Sequence, residues 1–280
     1  PAGDQGLVFV ALVAAVKARK LHVKLHGVNA FHKTYIIANL IYPAGRPTLI
    51  ESQKHTVPAS TYQELSLLSP PYVALSFFRY YHPPQPDPTQ RIPLIAVLTP
   101  SGTGYQVTQV AVVTNPAVRD KSALYNNILY PQVCIVDPEL MLSVPKFVTA
   151  CTGFDVLCHA FESTINPGAG AYTDLLAWEA ISLVVTNLPG LLDNLADIDR
   201  REKMALADTL GGLCIANAGV TLPHGMGMAI SGMYPNVAHG ESLAIVYPAF
   251  MRFTWESAIL QFAALARIFD PSLKSSGDEI

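Results

Sequence analysis

The residues best equipped for chemistry are one carboxylate and three imidazoles. Asp155 and His159 lie four apart in the apolar run TGFDVLCHAFES, Thr152 to Ser163. On a helix that spacing puts both side chains on one face. His224 and His239 follow in LPHGMGMAISGMYPNVAHGESLA, each directly before a glycine. That stretch reads as loop-rich, a place where backbone can approach closely. Taken singly, each residue has a plainer reading, as a polar pair on a buried helix or as hydrogen-bonded histidines in turns. Taken together, they complete the ligand set of a four-coordinate Zn²⁺, or of an Fe²⁺ with open positions. One anion among neutral imidazoles leaves such an ion net positive, as a Lewis acid must be.

Helical elements must present these groups. From Pro145, which suits a first helical turn, the segment through Glu162 has helical spacing. Thr173 to Leu188 predicts a second helix, opened by a Thr cap and ended before Pro189. Arg200 to Asn217 predicts a third, rich in small residues. WESAILQFAALARIF predicts another, with Ile259, Phe262, Ala263 and Ala266 on one face. Upstream the texture differs. LIAVL (Leu94 to Leu98), VTQVAVVT (Val107 to Thr114) and QVCIVDP (Gln132 to Pro138) read as short strands, and TPSGTG as a turn-forming loop. Short apolar strands between glycine-containing loops suggest an α/β region.

Residues 1–92 give less. LHVKLH alternates, so His22, Lys24 and His26 decorate one face of a strand more readily than they bind metal. YYHPPQPDPTQRIP is dense enough in proline to be a loop or linker. GLVFVALVAAV is too short to span a bilayer, and no basic stretch precedes it. At the other end, SLKSSGDEI predicts a polar, frayed terminus.

At 280 residues the chain can bury an ample core, and 50% hydrophobic against 14% charged residues excludes general disorder. A mean hydropathy of +0.30 hints at apolar surface buried between subunits, hence a homo-oligomer, dimer or larger. A net charge of −3 gives no electrostatic case for nucleic acid or an anionic membrane. Cys134, Cys151, Cys158 and Cys214 form no CxxC pair, so reduced thiols and a cytoplasmic setting are expected.

Four blocks, LTPSGTGYQVTQVAVVTN, YPQVCIVDPELMLSVP, TGFDVLCHAFES and NAGVTLPHGMGMAISGMYPNVAHGESLAIVYP, resemble the iron-containing (group III) alcohol dehydrogenase family in order and spacing, over about 93–253. The resemblance implies an N-terminal Rossmann-like α/β cofactor domain followed by an all-helical metal domain, with the active site in the cleft between them. On this chain the domains would be 1–145 and 146–280. It implies that Asp155, His159, His224 and His239 ligate Fe²⁺ or Zn²⁺. It also implies that Thr99, Gly102 and Thr103 lie against NAD or NADP, with Val112, Lys121 and Leu140 lining the cofactor cleft. Lys121 also reads as an ordinary solvated lysine, and Leu140 as a core residue. The implied reaction interconverts a small alcohol and an aldehyde or ketone by hydride transfer. Glu162, three residues past His159, either orients a ligand imidazole or is an ordinary helix glutamate.

The sequence also departs from the family pattern. Residues 1–92 hold no GGGS phosphate turn. Tyr105 and Gln106 stand where relatives carry a small residue and an acid, and Met228 stands where many carry a further histidine. Relatives continue through several more helices after the point where this chain stops. The rival readings are a glycerol dehydrogenase or dehydroquinate synthase-like relative, and a non-catalytic metal-binding relative lacking the cofactor turn.

Overall fold

The computed structural model describes residues 94–115 and 119–273. The expectations for His22, Lys24 and His26, for the proline-rich linker, for GLVFVALVAAV and for residues 274–280 lie outside them.

Four short strands open the described chain. β1 (Ile95–Leu98) pairs in parallel with β4 (Val133–Val136), with Ile95 opposite Val133 and Leu98 opposite Val136. β2 (Val110–Asn115) and β3 (Asp120–Tyr125) form an antiparallel hairpin with Val110 opposite Tyr125. The parallel pair bears out the α/β expectation, because parallel neighbours need a crossover and not a tight turn. The second strand starts later than its apolar pattern predicts. Tyr105–Val107 is instead a 3₁₀ turn, because Tyr105 and Gln106 are pulled into the core.

Six helices follow: α1 (Lys146–Ile165), α2 (Ala171–Asp193), α3 (Ile198–Asn217), α4 (Leu222–Met233), α5 (His239–Thr254) and α6 (Ile259–Phe269). Pro145 is the residue before the first helical turn of α1. α2 corrects two expectations. It starts at Ala171 after Gly170, with Thr173 already buried inside the first turn, and it runs through Pro189 to Asp193. An internal proline costs roughly 3 kcal/mol. Here Leu191, fully buried beside Val184 and Met204, returns part of that cost. α3 begins two residues before its predicted start, where the Asp197 carboxylate accepts the Arg200 N–H at 3.0 Å. The stretch expected to be loop-rich is instead two helices, α4 and α5. Its glycines serve packing: a Cβ at Gly227 would lie 3.0 Å from the Leu243 side chain.

The main core joins α1, α2, α3, α5 and α6 through Cys158, Phe161, Ile181, Cys214, Leu243, Phe250 and Leu265. A second cluster, Leu98, Tyr105, Met141, Val148 and Ala205, ties the strands to α1 and α3. All four cysteines are free thiols. α2 has the length and mean hydropathy (1.5) of a membrane span. However, its Ala177, Ala180 and Ile181 are fully buried in the main core.

Candidate metal centre

α1 carries Asp155, His159 and Glu162 along one stripe, and the core covers that stripe: the three are 3%, 2% and 0% exposed. His224 sits in the first turn of α4 after Pro223, and His239 is the first residue of α5. Two helix starts are therefore aimed at one helix face. The approach of α5 requires a glycine, because a Cβ at Gly240 would lie 2.0 Å from the Cys151 carbonyl oxygen of α1. With no side chain at 240, the start of α5 lies on the α1 backbone and His239 reaches Asp155.

The four expected ligands come together. Nε2 of His224, His159 and His239 lie 3.3, 3.4 and 3.6 Å from the same oxygen, Oδ1 of Asp155. The His159 and His224 rings stack at 4.6 Å, and the His239 ring stands across His224 at 5.3 Å. Candidate ligand atoms of Asp155, His224 and His239 all fall within 4.8 Å of one another. In a tetrahedral site with bonds of about 2.1 Å, neighbouring ligand atoms stand about 3.4 Å apart. Asp155, His224 and His239 therefore have the donor types and spacing for a divalent transition-metal ion, and His159 adjoins them at 3.4 Å from Asp155 Oδ1.

Glu162 is more than an ordinary helix glutamate. Its Oε1 lies 2.8 Å from Nδ1 of His224, and its Oε2 accepts the Thr221 N–H at 2.7 Å and the Thr221 hydroxyl at 3.2 Å. A carboxylate at Nδ1 keeps a proton there and leaves Nε2, 3.3 Å from Asp155 Oδ1, as the nitrogen whose proton an ion would displace. Burial alone would push the Asp155 carboxyl up, but the surrounding His159, His239 and His224 hold it well below the usual carboxylate range. Burial pushes His224 down, and the Glu162 and Asp155 carboxylates reverse this and raise it to about 9. The pocket therefore favours positive charge, whether a proton or a cation.

The centre stands on the wall of an open cleft. Thr103, Val112 and Lys121 line this cleft with Asp155, His159, His224 and His239, while Thr99, Gly102 and Leu140 do not. Gly102 packs on α1, where a Cβ would come within 2.4 Å of the Thr152 side chain. Leu140 lies in the 3₁₀ turn Pro138–Met141, where Asp137 caps the Glu139 N–H. Met228, in place of a histidine, is on the cleft wall. Sequence reasoning missed Cys151, which also lines it and lies one turn before Asp155 on the same stripe. It missed Asp208 as well, for which no spacing gave a signal.

Comparison with known proteins gives the family. The profile "Iron-containing alcohol dehydrogenase" matches residues 71–138, and "Fe-containing alcohol dehydrogenase family, C-terminal" matches 149–279. The match thus extends beyond 93–253 at both ends. A 1-propanol dehydrogenase of Salmonella typhimurium is 40% identical over 159 residues, 57% of this chain and 43% of its own. An NAD-dependent methanol dehydrogenase of Bacillus methanolicus is 34% identical over 177 residues, 63% and 46%. The chain spans less than half the length of either. Among solved structures, an archaeal halo-thermophilic alcohol dehydrogenase from a Red Sea brine pool is 34% identical, with a TM-score of 0.68 over 73% of this chain and 52% of its own. The two profiles together cover most of the sequence, and the solved relative has the same fold. The chain belongs to the iron-containing alcohol dehydrogenase family.

Proposed function

We propose that the protein is a metal-dependent, NAD(P)-linked oxidoreductase that interconverts a small alcohol and its aldehyde or ketone. One observation carries this reading. Three imidazole Nε2 atoms converge on one Asp155 oxygen at the wall of a cleft that Thr103, Val112 and Lys121 also line. Asp155, His159, His224 and His239 would hold the ion, and Thr103, Val112 and Lys121 the nicotinamide half of the nucleotide. Thr99, Gly102 and Leu140 would support this cofactor site from behind. The helices from Lys146 onward act as the metal domain, and the strands before them as part of the cofactor domain.

A bound divalent ion supplies Lewis acidity that makes an alcohol hydroxyl acidic near neutral pH, and the nicotinamide supplies the hydride acceptor. The chain's own residues do the rest. Asp155 neutralises one positive charge and spaces the imidazoles. Glu162 holds a proton on Nδ1 of His224, so that Nε2 is the nitrogen that would ligate the ion. Val110, Val112 and Ala123 give the cleft an apolar wall. Met228 offers no proton, so no histidine relay operates at that place.

The structural relative that is a sulfoacetaldehyde reductase is described in complex with NAD⁺. Relatives described as acting on 1-propanol, methanol and 1,3-propanediol all handle small alcohols. Both facts support NAD and a small substrate here. The test is metal content by elemental analysis with NADH and NADPH binding by fluorescence. One metal per chain and micromolar-range NADH binding is expected. Metal without either nucleotide would sink the dehydrogenase reading and leave a metal-binding relative. No metal in wild type or in His224→Ala would remove the ligand set.

A further inference from the structure

Asp208, on α3, is 1% exposed and stands behind the loop whose far side faces the cleft. Its Oδ1 accepts the Gly104 N–H at 2.8 Å, and its Oδ2 accepts Nε2 of Gln106 at 3.0 Å. One carboxylate thus collects donors from two alternate residues of the loop, Gly104 and Gln106, and both are neutral. Burying an acid without a cation costs stability.

The next turn of α3 completes the socket. Gly104 is left-handed (φ 59°), and a Cβ there would lie 2.3 Å from Cα of Gly212, four residues after Asp208. Thr209 accepts a second contact from Gln106 at 3.2 Å, Tyr105 donates its hydroxyl to the Val97 carbonyl of β1, and the Cys134 thiol of β4 donates to the Gln106 carbonyl. The loop is therefore held on its back face, and Thr103, between Gly102 and Gly104, is left on the cleft side.

We propose that Asp208 is a positioning residue for the nucleotide: its carboxylate anchors the Gly104 backbone and the Gln106 side chain so that Thr103, next to Gly104, is presented to the cofactor in a preformed geometry. The role rests on the dehydrogenase reading for the identity of the ligand, but not for the existence of the anchor. Asp208 touches none of the reacting atoms. Its effect falls on nucleotide affinity and on the order of residues 100–106, not on metal retention.

The experiment uses the full chain as wild type, Asp208→Ala and Asp208→Asn. It measures amide hydrogen exchange across 100–106, NADH affinity by fluorescence and metal content. In Asp208→Ala, exchange at 100–106 should quicken at least about tenfold and the NADH Kd should rise about tenfold, with metal content unchanged. Asp208→Asn should return both to within about threefold of wild type, because Asn Oδ1 still accepts from Gly104 and a rotated Gln106 amide meets its Nδ2. If Asp208→Ala does not fold, Gln106→Met deletes one arm of the anchor and should give an intermediate rise in both readings. Unchanged exchange overturns the anchor, as does an Asn variant no better than Ala. Parallel loss of metal and nucleotide also overturns it, since Asp208 would then support the helix and not the loop. A wild type that binds no NADH sinks the dehydrogenase reading, and the exchange and metal data then decide the anchor alone.

Discussion

Glu162 and His224 form the innermost contact of the centre: Oε1 and Nδ1 lie 2.8 Å apart, with Glu162 fully buried. The pair joins α1 to the start of α4 and fixes which nitrogen of His224 carries its proton. Removing it should weaken metal binding without removing a ligand. Glu162→Gln, whose amide accepts through one oxygen only, should lower metal affinity roughly 10- to 100-fold. Competition with a chelator, read by elemental analysis, measures it. Affinity equal to wild type would reduce Glu162 to a packing residue.

Asp155 is the hub, so its loss should be more severe than that of any one imidazole. Asp155→Asn should abolish stable metal retention, whereas His239→Ala, at the most exposed ligand (side chain 19% exposed), should retain a weakened site. Dialysis followed by metal analysis ranks them. The reverse ranking would show that Asp155 is not the centre of the ligand set.

Gly240 makes the approach of α5 to α1 possible. Gly240→Ala places a Cβ 2.0 Å from the Cys151 carbonyl oxygen, a backbone atom that cannot swing aside. The variant should lose about 1–3 kcal/mol of stability by overpacking, together with most of its metal. Urea unfolding with and without chelator separates the two losses. An unchanged midpoint would mean the helices part at no cost.

Asp208 gives a signed pH dependence. Burial raises its carboxyl to about 7, above the ordinary value of 3.8, although Gln106 and the Gly104 backbone lower it. Between these two values the folded chain binds a proton that the unfolded chain has released. The contribution is therefore fully present below about 4, falls as pH rises, and is gone above about 7. Across that window, wild type should lose stability relative to Asp208→Asn by an amount on the order of a few kcal/mol. Urea midpoints of the two proteins at pH 4.5 and pH 7.5, as about two points on that curve, give the difference. A constant difference would mean Asp208 titrates normally.

The four-residue spacing in TGFDVLCHAFES is local information and marks a shared helix face, but alone it reads as a polar pair, and the ligand set follows from the family resemblance. His224 and His239 were reachable only as residue types, since what joins them to Asp155 is tertiary. The segment around them was misread as loops because glycine disfavours helices in isolation. Gly227 and Gly240 are there for close helix approach, which outweighs their propensity. Pro189 misled for a related reason: a break predicted from one missing N–H was bridged by burial of Leu191. Asp208 was invisible, because about one hundred residues separate it from the loop it holds and no local pattern marks a partner at that distance.

The centre also has a meaning for the order of events in folding. Asp155 and His239 are 84 positions apart (155 to 239), and α1, α4 and α5 each contribute a ligand. An ion held there is a reversible staple across a long stretch of chain, of the kind that gains most by shrinking the unfolded ensemble. The helices that make this wall of the cleft are thus the ones an ion would join. An ion that binds only the folded chain would add its binding free energy to that of folding, so the folded fraction would rise with metal supply.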